Sequence, residues 1–392
     1  MNGADTAWVL VATALVLMMT LPGLALFYGG LVRARNVLSL FMHCFSIAAL
    51  MSVLWLLLGY TIAFGGPGSF WGGMAKLGLL GIGPDALTGS IPEVLFFAFQ
   101  MTFAVITPAL IVGAFVERVN FAFVLAFTGL WMLLVYAPVA HWIWGGGFMS
   151  DGGLFGPTGT RDFAGGIVVH ETAALAALLL AVMIGPRRHR TTPPHNPGMV
   201  AMGAGLLWVG WFGFNGGSAL AANGTAAMAL TATHLSAAGA SLSWALWERL
   251  KYGRSSLIGL VTGTIAGLAS VTPASGYVSP LEGLAIGLVA GILCHEAVLL
   301  VRERMGIDDT LDVFAVHGVG GIFGTIMVAV FGYGTFQAQL GALVLVGIYT
   351  LAVSYGIARV VALAFPMRVD REAETNGLDL STHGERAYEM TS

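Results

Sequence analysis

The stretch DFAGGIVVHETAALAALLLAVMIG (Asp162–Gly185) holds three ionisable side chains, Asp162, His170 and Glu171, in an otherwise apolar or small-residue run. As a helix rising about 1.5 Å per residue, it is long enough to cross a hydrocarbon core of roughly 30 Å. A full charge at mid-depth costs roughly 2.5–3.5 kcal/mol or more. Histidine is cheaper, because the neutral ring both donates and accepts a proton. A second such histidine, His317, follows Asp312 in a later apolar stretch. Two of them in an apolar path suggest a route for something small that exchanges protons.

The rest of the chain reads the same way. Mean hydropathy is +0.84 and only 9% of residues are charged, against about 25% in soluble domains. Eleven stretches are long enough to span, approximately 8–31, 37–65, 94–116, 121–145, 162–185, 199–217, 225–248, 257–277, 283–301, 311–332 and 339–366. The expected fold is an all-α polytopic membrane protein. The first stretch has no basic n-region or cleavage site and is read as a helix of the mature protein.

Lysine and arginine set the orientation. Alternate connections carry Arg33 and Arg35; Arg118; Arg187, Arg188 and Arg190; Arg249, Lys251 and Arg254; Arg302 and Arg304. With Arg368, Arg371 and Arg386 of the tail, fourteen of the seventeen basic residues fall on one side. The positive-inside rule then places the amino terminus outside and the carboxyl terminus in the cytoplasm. The net charge of −3, with no basic cluster, gives no reason to expect a nucleic-acid partner. Cys44 and Cys294 lie inside spans and form neither a disulfide framework nor a metal pattern. No cofactor is expected.

No linker joins a second domain, so 1–366 reads as one membrane domain and 367–392 as a cytoplasmic regulatory tail. A weak internal echo divides the membrane part. The first span ends Leu26-Phe27-Tyr28-Gly29-Gly30 and the sixth ends Phe212-Gly213-Phe214-Asn215-Gly216-Gly217. The fifth pairs Asp162 with His170, and the tenth pairs Asp312 with His317. Five spans separate each pair, which is the pattern of an inverted repeat with its site near the midplane, plus one extra helix. Helical rise puts the two histidines roughly 9 Å apart in depth.

Asp162 and Asp312 both read as helix caps, Asp162 with a field that attracts cations to the mouth. Phe103, Trp142, Trp144, Trp211, Phe212 and Phe214 cluster near outer helix ends, and an interfacial belt or plain core accounts for most of them. Trp144 and Phe214 differ, because the glycines that follow let the backbone bend and present a ring to a cavity. Such a cage attracts a small cation by roughly 0.5–2 kcal/mol, and Ser218 adds a hydrogen-bond acceptor. Glycines at four-residue spacing (259, 263, 267 and 283, 287, 291) mark close helix contacts, either within one subunit or between subunits. A haem held by the two histidines is an alternative. The segment Pro273-Ala274-Ser275-Gly276 is read as helix-end geometry, not as a protease nucleophile.

At these residues the chain resembles the Amt/Mep/Rh ammonium transporter family, in its bacterial Amt branch. The matching segments are Pro22-Gly23-Leu24-Ala25-Leu26-Phe27-Tyr28-Gly29-Gly30-Leu31, Val112-Gly113-Ala114, Asp162-Phe163-Ala164-Gly165-Gly166 with His170, and Gly210-Trp211-Phe212-Gly213-Phe214-Asn215. They continue with Asp312-Val313-Phe314, His317-Gly318, and the tail pieces Gly377-Leu378-Asp379 and His383-Gly384-Glu385. The resemblance implies eleven helices, a homotrimer with one pore per subunit in the cytoplasmic membrane, and ammonium (or its analogue methylammonium) as substrate. It implies an outer recruitment site of Phe103, Trp144, Phe214 and Ser218, a phenylalanine gate below it, and a twin-histidine pore of His170 and His317. It also implies docking of a PII-type signal protein at the cytoplasmic face. A nonconducting ammonium sensor on the same scaffold is the alternative function. Glu171 departs from the neutral residue expected after the first histidine.

Overall fold

A backbone in lipid must satisfy its own hydrogen bonds, so the apolar stretches become helices. The computed structural model describes residues 1–189 and 193–388; Arg190 of the basic loop before Pro197 and the last four residues of the tail lie outside them. The long helices in chain order are α1 (Gly3–Leu31), α2 (Ala34–Phe64), α3 (Glu93–Val112), α4 (Phe121–Ile143), α5 (Gly166–Ile184) and α6 (Pro197–Gly216). They continue as α7 (Gly224–Tyr252), α8 (Leu257–Val271), α9 (Pro280–Arg304), α10 (Phe314–Val330) and α11 (Phe336–Val361). Two short tail helices follow, α12 (Arg371–Asn376) and α13 (Leu378–His383).

Eight of these are long and apolar enough to cross a membrane by themselves. Of the other three, α8 and α10 are apolar but shorter. α7 is long but carries Thr231, Thr233, His234, Ser236 and Ser241 through its middle. The chain is a multi-pass helical membrane protein. The four-residue glycine stripes serve contacts within the chain: Gly263 faces Trp244, Gly267 and Gly287 face Ser236, and Gly283 faces Ala232, so α8 and α9 both close onto α7.

The two ends of the bundle differ. At the mouth end, the loop before α3 folds back through a two-residue antiparallel pair, β1 (Leu87–Thr88) with β2 (Ile91–Pro92). There Lys76 Nζ lies 2.5 Å from Glu93, which also accepts from Tyr60 Oη at 2.9 Å. The other end gathers arginines around buried carboxylates. Glu117 accepts from Arg33, Asn36 and Arg187, and burial pulls the Arg118 guanidinium down to about 10.

The tail is folded onto this basic end. Glu374, almost fully buried, accepts from Arg368 Nη2 at 2.8 Å and from the Arg188 amide at 2.8 Å. Asp379 accepts from the Ser39 amide at 2.7 Å, and Asn36 Oδ1 from the Leu378 amide at 2.8 Å. Tyr388 Oη meets His195 Nε2 at 3.2 Å.

Candidate conduction site

The site begins with a turn. Asp162 Oδ1 accepts from the amides of Gly165 and Gly166 at 2.9 and 2.7 Å, and Oδ2 from Ile167 and Val168 at 2.9 and 3.0 Å. The expected cap is there, and it holds four donors rather than one or two. Gly165, at φ +116°, supplies the backbone angle that curls the chain around the carboxylate. The first turns of α5, Gly166–Glu171, are π-helical, a local widening common at functional sites. His170 projects from it.

The opposing element is built alike. α10 opens with a π-helical run, Phe314–Gly318, containing His317. Its cap, however, is Asp309, which accepts from the amides of Val313 and Phe314 at 3.1 and 2.7 Å. Burial pushes the Asp309 carboxyl up to about 6. The reading of Asp312 as the cap is thereby corrected. Asp312 takes φ +58°, which turns its side chain toward Arg302, with Oδ1 and Oδ2 each 2.6 Å from the guanidinium.

His170 and His317 meet directly, Nδ1 to Nδ1 at 3.2 Å, with ring centroids 5.2 Å apart and planes inclined by 23°. The depth offset expected from helical rise is closed by this contact. A hydrogen bond between two Nδ1 atoms needs one donor and one acceptor. The pair therefore shares a single proton there, and the two Nε2 atoms are complementary, one acceptor and one donor. His170 Nε2 has no protein partner among the described residues.

Around the histidines the wall is apolar. Leu24, Ile106, Leu110, Leu207 and Ile265 line a lumen with only about 10 Å³ of free space. Such a lumen has no room for a porphyrin, and nitrogens flanking an iron stand roughly 4 Å apart given metal–imidazole bonds of about 2 Å. The haem alternative does not fit. No group of three or more His, Cys, Asp or Glu able to hold a metal ion occurs among the described residues.

Towards the mouth the lumen is closed by stacked rings. Phe103 lies on Phe214 with centroids 4.2 Å apart and planes at 28°, and Phe214 in turn lies 6.2 Å from the His170 ring. Above them opens a vestibule of about 530 Å³, bordered by Phe103, Trp144, Asp162 and Ser218. Trp144 stands edge-on to Phe103, and its indole N–H donates to the Asp162 carbonyl at 2.7 Å. Ser218 Oγ donates to the Phe214 carbonyl at 2.8 Å, which leaves its lone pairs to accept. At the basic end a second vestibule of about 320 Å³ reaches His317 past Tyr28, Asp312 and Arg302.

The candidate residues thus lie along one line: Trp144 and Ser218, the Phe103–Phe214 stack, His170, His317 and, at the far opening, Asp312. Of the belt and core readings, packing supports the core: Phe103, Trp142, Trp211 and Phe214 are all buried in the chain's own interior. Two lining residues went unassigned. Trp211 stacks on His170 at 5.6 Å, fixed by its indole bond to Thr272 at 2.9 Å. Tyr28 donates to the Leu110 carbonyl at 3.3 Å beside the lumen. Tyr28 stands in the first echoed segment and Trp211 in the family-like run Gly210–Asn215, which were the available signals.

Residues 7–388 match the model of the Ammonium Transporter Family. An ammonium transporter of Bacillus subtilis is 42% identical, covering 99% of each chain. One of Aquifex aeolicus is 40% identical over all of this chain and 94% of its own. Among solved structures, a sensor Amt protein superposes with TM-score 0.86 at 29% identity, covering 97% of this chain and 98% of that one. Candida albicans Mep2 gives TM-score 0.86 at 30% identity, over 95% and 87% respectively. Match and architecture together make this chain a member of the Ammonium Transporter Family, whose members are membrane transporters and not enzymes.

Proposed function

We propose that the protein transports ammonium across the cytoplasmic membrane, entering at the aromatic vestibule and passing the histidine pair as ammonia. The observation that carries this reading is the His170–His317 contact inside an almost closed apolar lumen. Ammonium, potassium and water are similar in size, so width alone does not separate them. The rings of Phe103 and Trp144 attract a cation through their faces, and the Ser218 oxygen favours one that donates hydrogen bonds. Beyond Phe103 and Phe214 an ion would lose its hydration with no counter-charge, at a cost of tens of kcal/mol in the idealised limit. Ammonium escapes that cost by leaving its proton behind; potassium has none to leave. Ammonia, a donor with one lone pair, then finds one accepting and one donating Nε2. The proton travels separately with the histidines in its relay, so transport carries net charge.

The orientation we infer has the vestibule of Trp144 outside and the arginine-rich end in the cytoplasm. The docked tail suits a regulatory partner of the PII type, and the assembly expected is a homotrimer. Solid-supported-membrane currents on reconstituted protein test the reading, with pulses of ammonium, methylammonium and potassium. Ammonium and methylammonium currents that vanish when His170 and His317 are both replaced by leucine are the expected result; undiminished current in that variant would remove the pair from the relay. Likeness to a sensor Amt protein favours one competing outcome: saturable ammonium binding with neither current nor ammonia flux would make this chain a sensor.

A further inference from the structure

Glu171 is a buried acid that the conduction scheme does not use. It is 2% exposed, its Oε2 has no partner among the described residues, and it appears in no ion pair among them. Its side chain lies against α11 at Gly347, where a methyl group would stand 3.3 Å from Oε1. The missing side chain of Gly347 makes the notch that admits the carboxyl.

The charges around that notch are sparse. Asp162, held as a carboxylate acceptor by four amides, precedes Glu171 on the same segment and bears on it as a like charge. His170 adjoins it and His317 faces His170. α8 and α10 bring no Asp, Glu, Lys or Arg, and α3 brings only Glu93 at its mouth-end start. α4 brings His141, already bonded to the Ala63 and Gly68 carbonyls. α11 has no charge before Arg359, about 18 Å along the helix from Gly347.

We propose that Glu171 is a proton-bearing carboxylic acid whose neutrality keeps the field at the His170–His317 pair low. A lone buried carboxylate in an apolar slab, without a cation, is a costly state that a proton removes. If that proton were lost at alkaline pH, the new negative charge would draw a second proton onto the histidine pair. Held on the accepting Nε2, that proton would leave the Nδ1 hydrogen bond across 3.2 Å intact and remove the one acceptor the pair offers.

Infrared spectra of the reconstituted protein test the first half, which is independent of what the lumen conducts. The carbonyl band of a protonated acid is expected in the wild type, absent in Glu171→Gln and displaced in Glu171→Asp; should Glu171→Gln not fold, Glu171→Asp alone decides. Unchanged acid bands in the variants that fold would overturn the assignment. The second half rests on the ammonium reading. The wild-type current is expected to fall on the alkaline side, and the Glu171→Gln current to stay level there. An acid band lost without any change in that pH profile would overturn the coupling to the histidines, while leaving ammonium transport untouched.

Discussion

Replacing Asp162 by asparagine keeps shape and removes charge, so it isolates what the carboxylate does for the turn that carries His170. In the native chain one oxygen serves Gly165 and Gly166 and the other serves Ile167 and Val168, at 2.7 to 3.0 Å. Asparagine has one acceptor oxygen. Oriented to keep the first two bonds, it points an N–H₂ at the amides of Ile167 and Val168, leaving two buried donors unpaired. Net worth of a hydrogen bond to a charged group is about 1.5–3 kcal/mol, and some of the loss is recovered by relaxation. A net cost of about 2–4 kcal/mol follows, or roughly 30- to 700-fold in the balance between the seated and the unseated turn. Because His170 sits at the end of that turn, its Nδ1 contact with His317 is lost in the unseated form. The expected result is a lower melting temperature in detergent together with a large loss of ammonium current. Wild-type melting and wild-type current in Asp162→Asn would refute the reasoning that the cap seats the histidine.

Three other expectations follow from the same geometry. Phe103→Ala removes a ring stacked 4.2 Å from Phe214 and with it a cation–π attraction of roughly 0.5–2 kcal/mol. Half-saturating ammonium for the current should rise about 2- to 30-fold, and potassium should begin to compete; unchanged selectivity would contradict the gate. Glu374→Ala withdraws the buried acceptor of Arg368 and the Arg188 amide. The half-exposed arginines regain water, so about 1–3 kcal/mol of tail docking should be lost, read as faster protease cleavage near residue 376; an uncut tail would count against docking through Glu374. Burial raises Asp309 to about 6, above its ordinary value, so its proton stabilises the fold: the benefit is complete below about pH 4 and gone once pH passes about 6, on the order of 2–3 kcal/mol. Melting temperature should therefore fall over that window in the wild type and fall less in Asp309→Asn, and parallel curves would refute the assignment.

What the sequence made legible was local or periodic. Asp162 and the glycines after it lie within a few residues of the amides they serve, so their role reads directly from the chain. The histidine pair was visible because ionisable residues are rare in such stretches. The inner cap was not, since Asp308, Asp309 and Asp312 crowd five positions and only the φ of Asp312 decides which carboxylate faces the helix start. Helical rise misjudged the separation of the histidines because it takes no account of tilt or of π-helical turns. For Trp211 and Phe103 the sequence does not separate an interfacial ring from a core one; only the packing that encloses them does. The tail's docking depends on partners such as Glu374 and Arg188, 186 residues apart, a distance at which no local pattern operates.

The docked tail also orders events during synthesis. Arg33, Asn36, Ser39 and Arg188 find their acceptors or donors on residues 374 to 379, which leave the ribosome after every long helix has been made. Until then these residues have no such clasp, and the end of the bundle that they frame stays open to solvent. Closing it is one of the last folding steps, and a chain halted before residue 374 would reach the bilayer with its helices complete and that clasp missing.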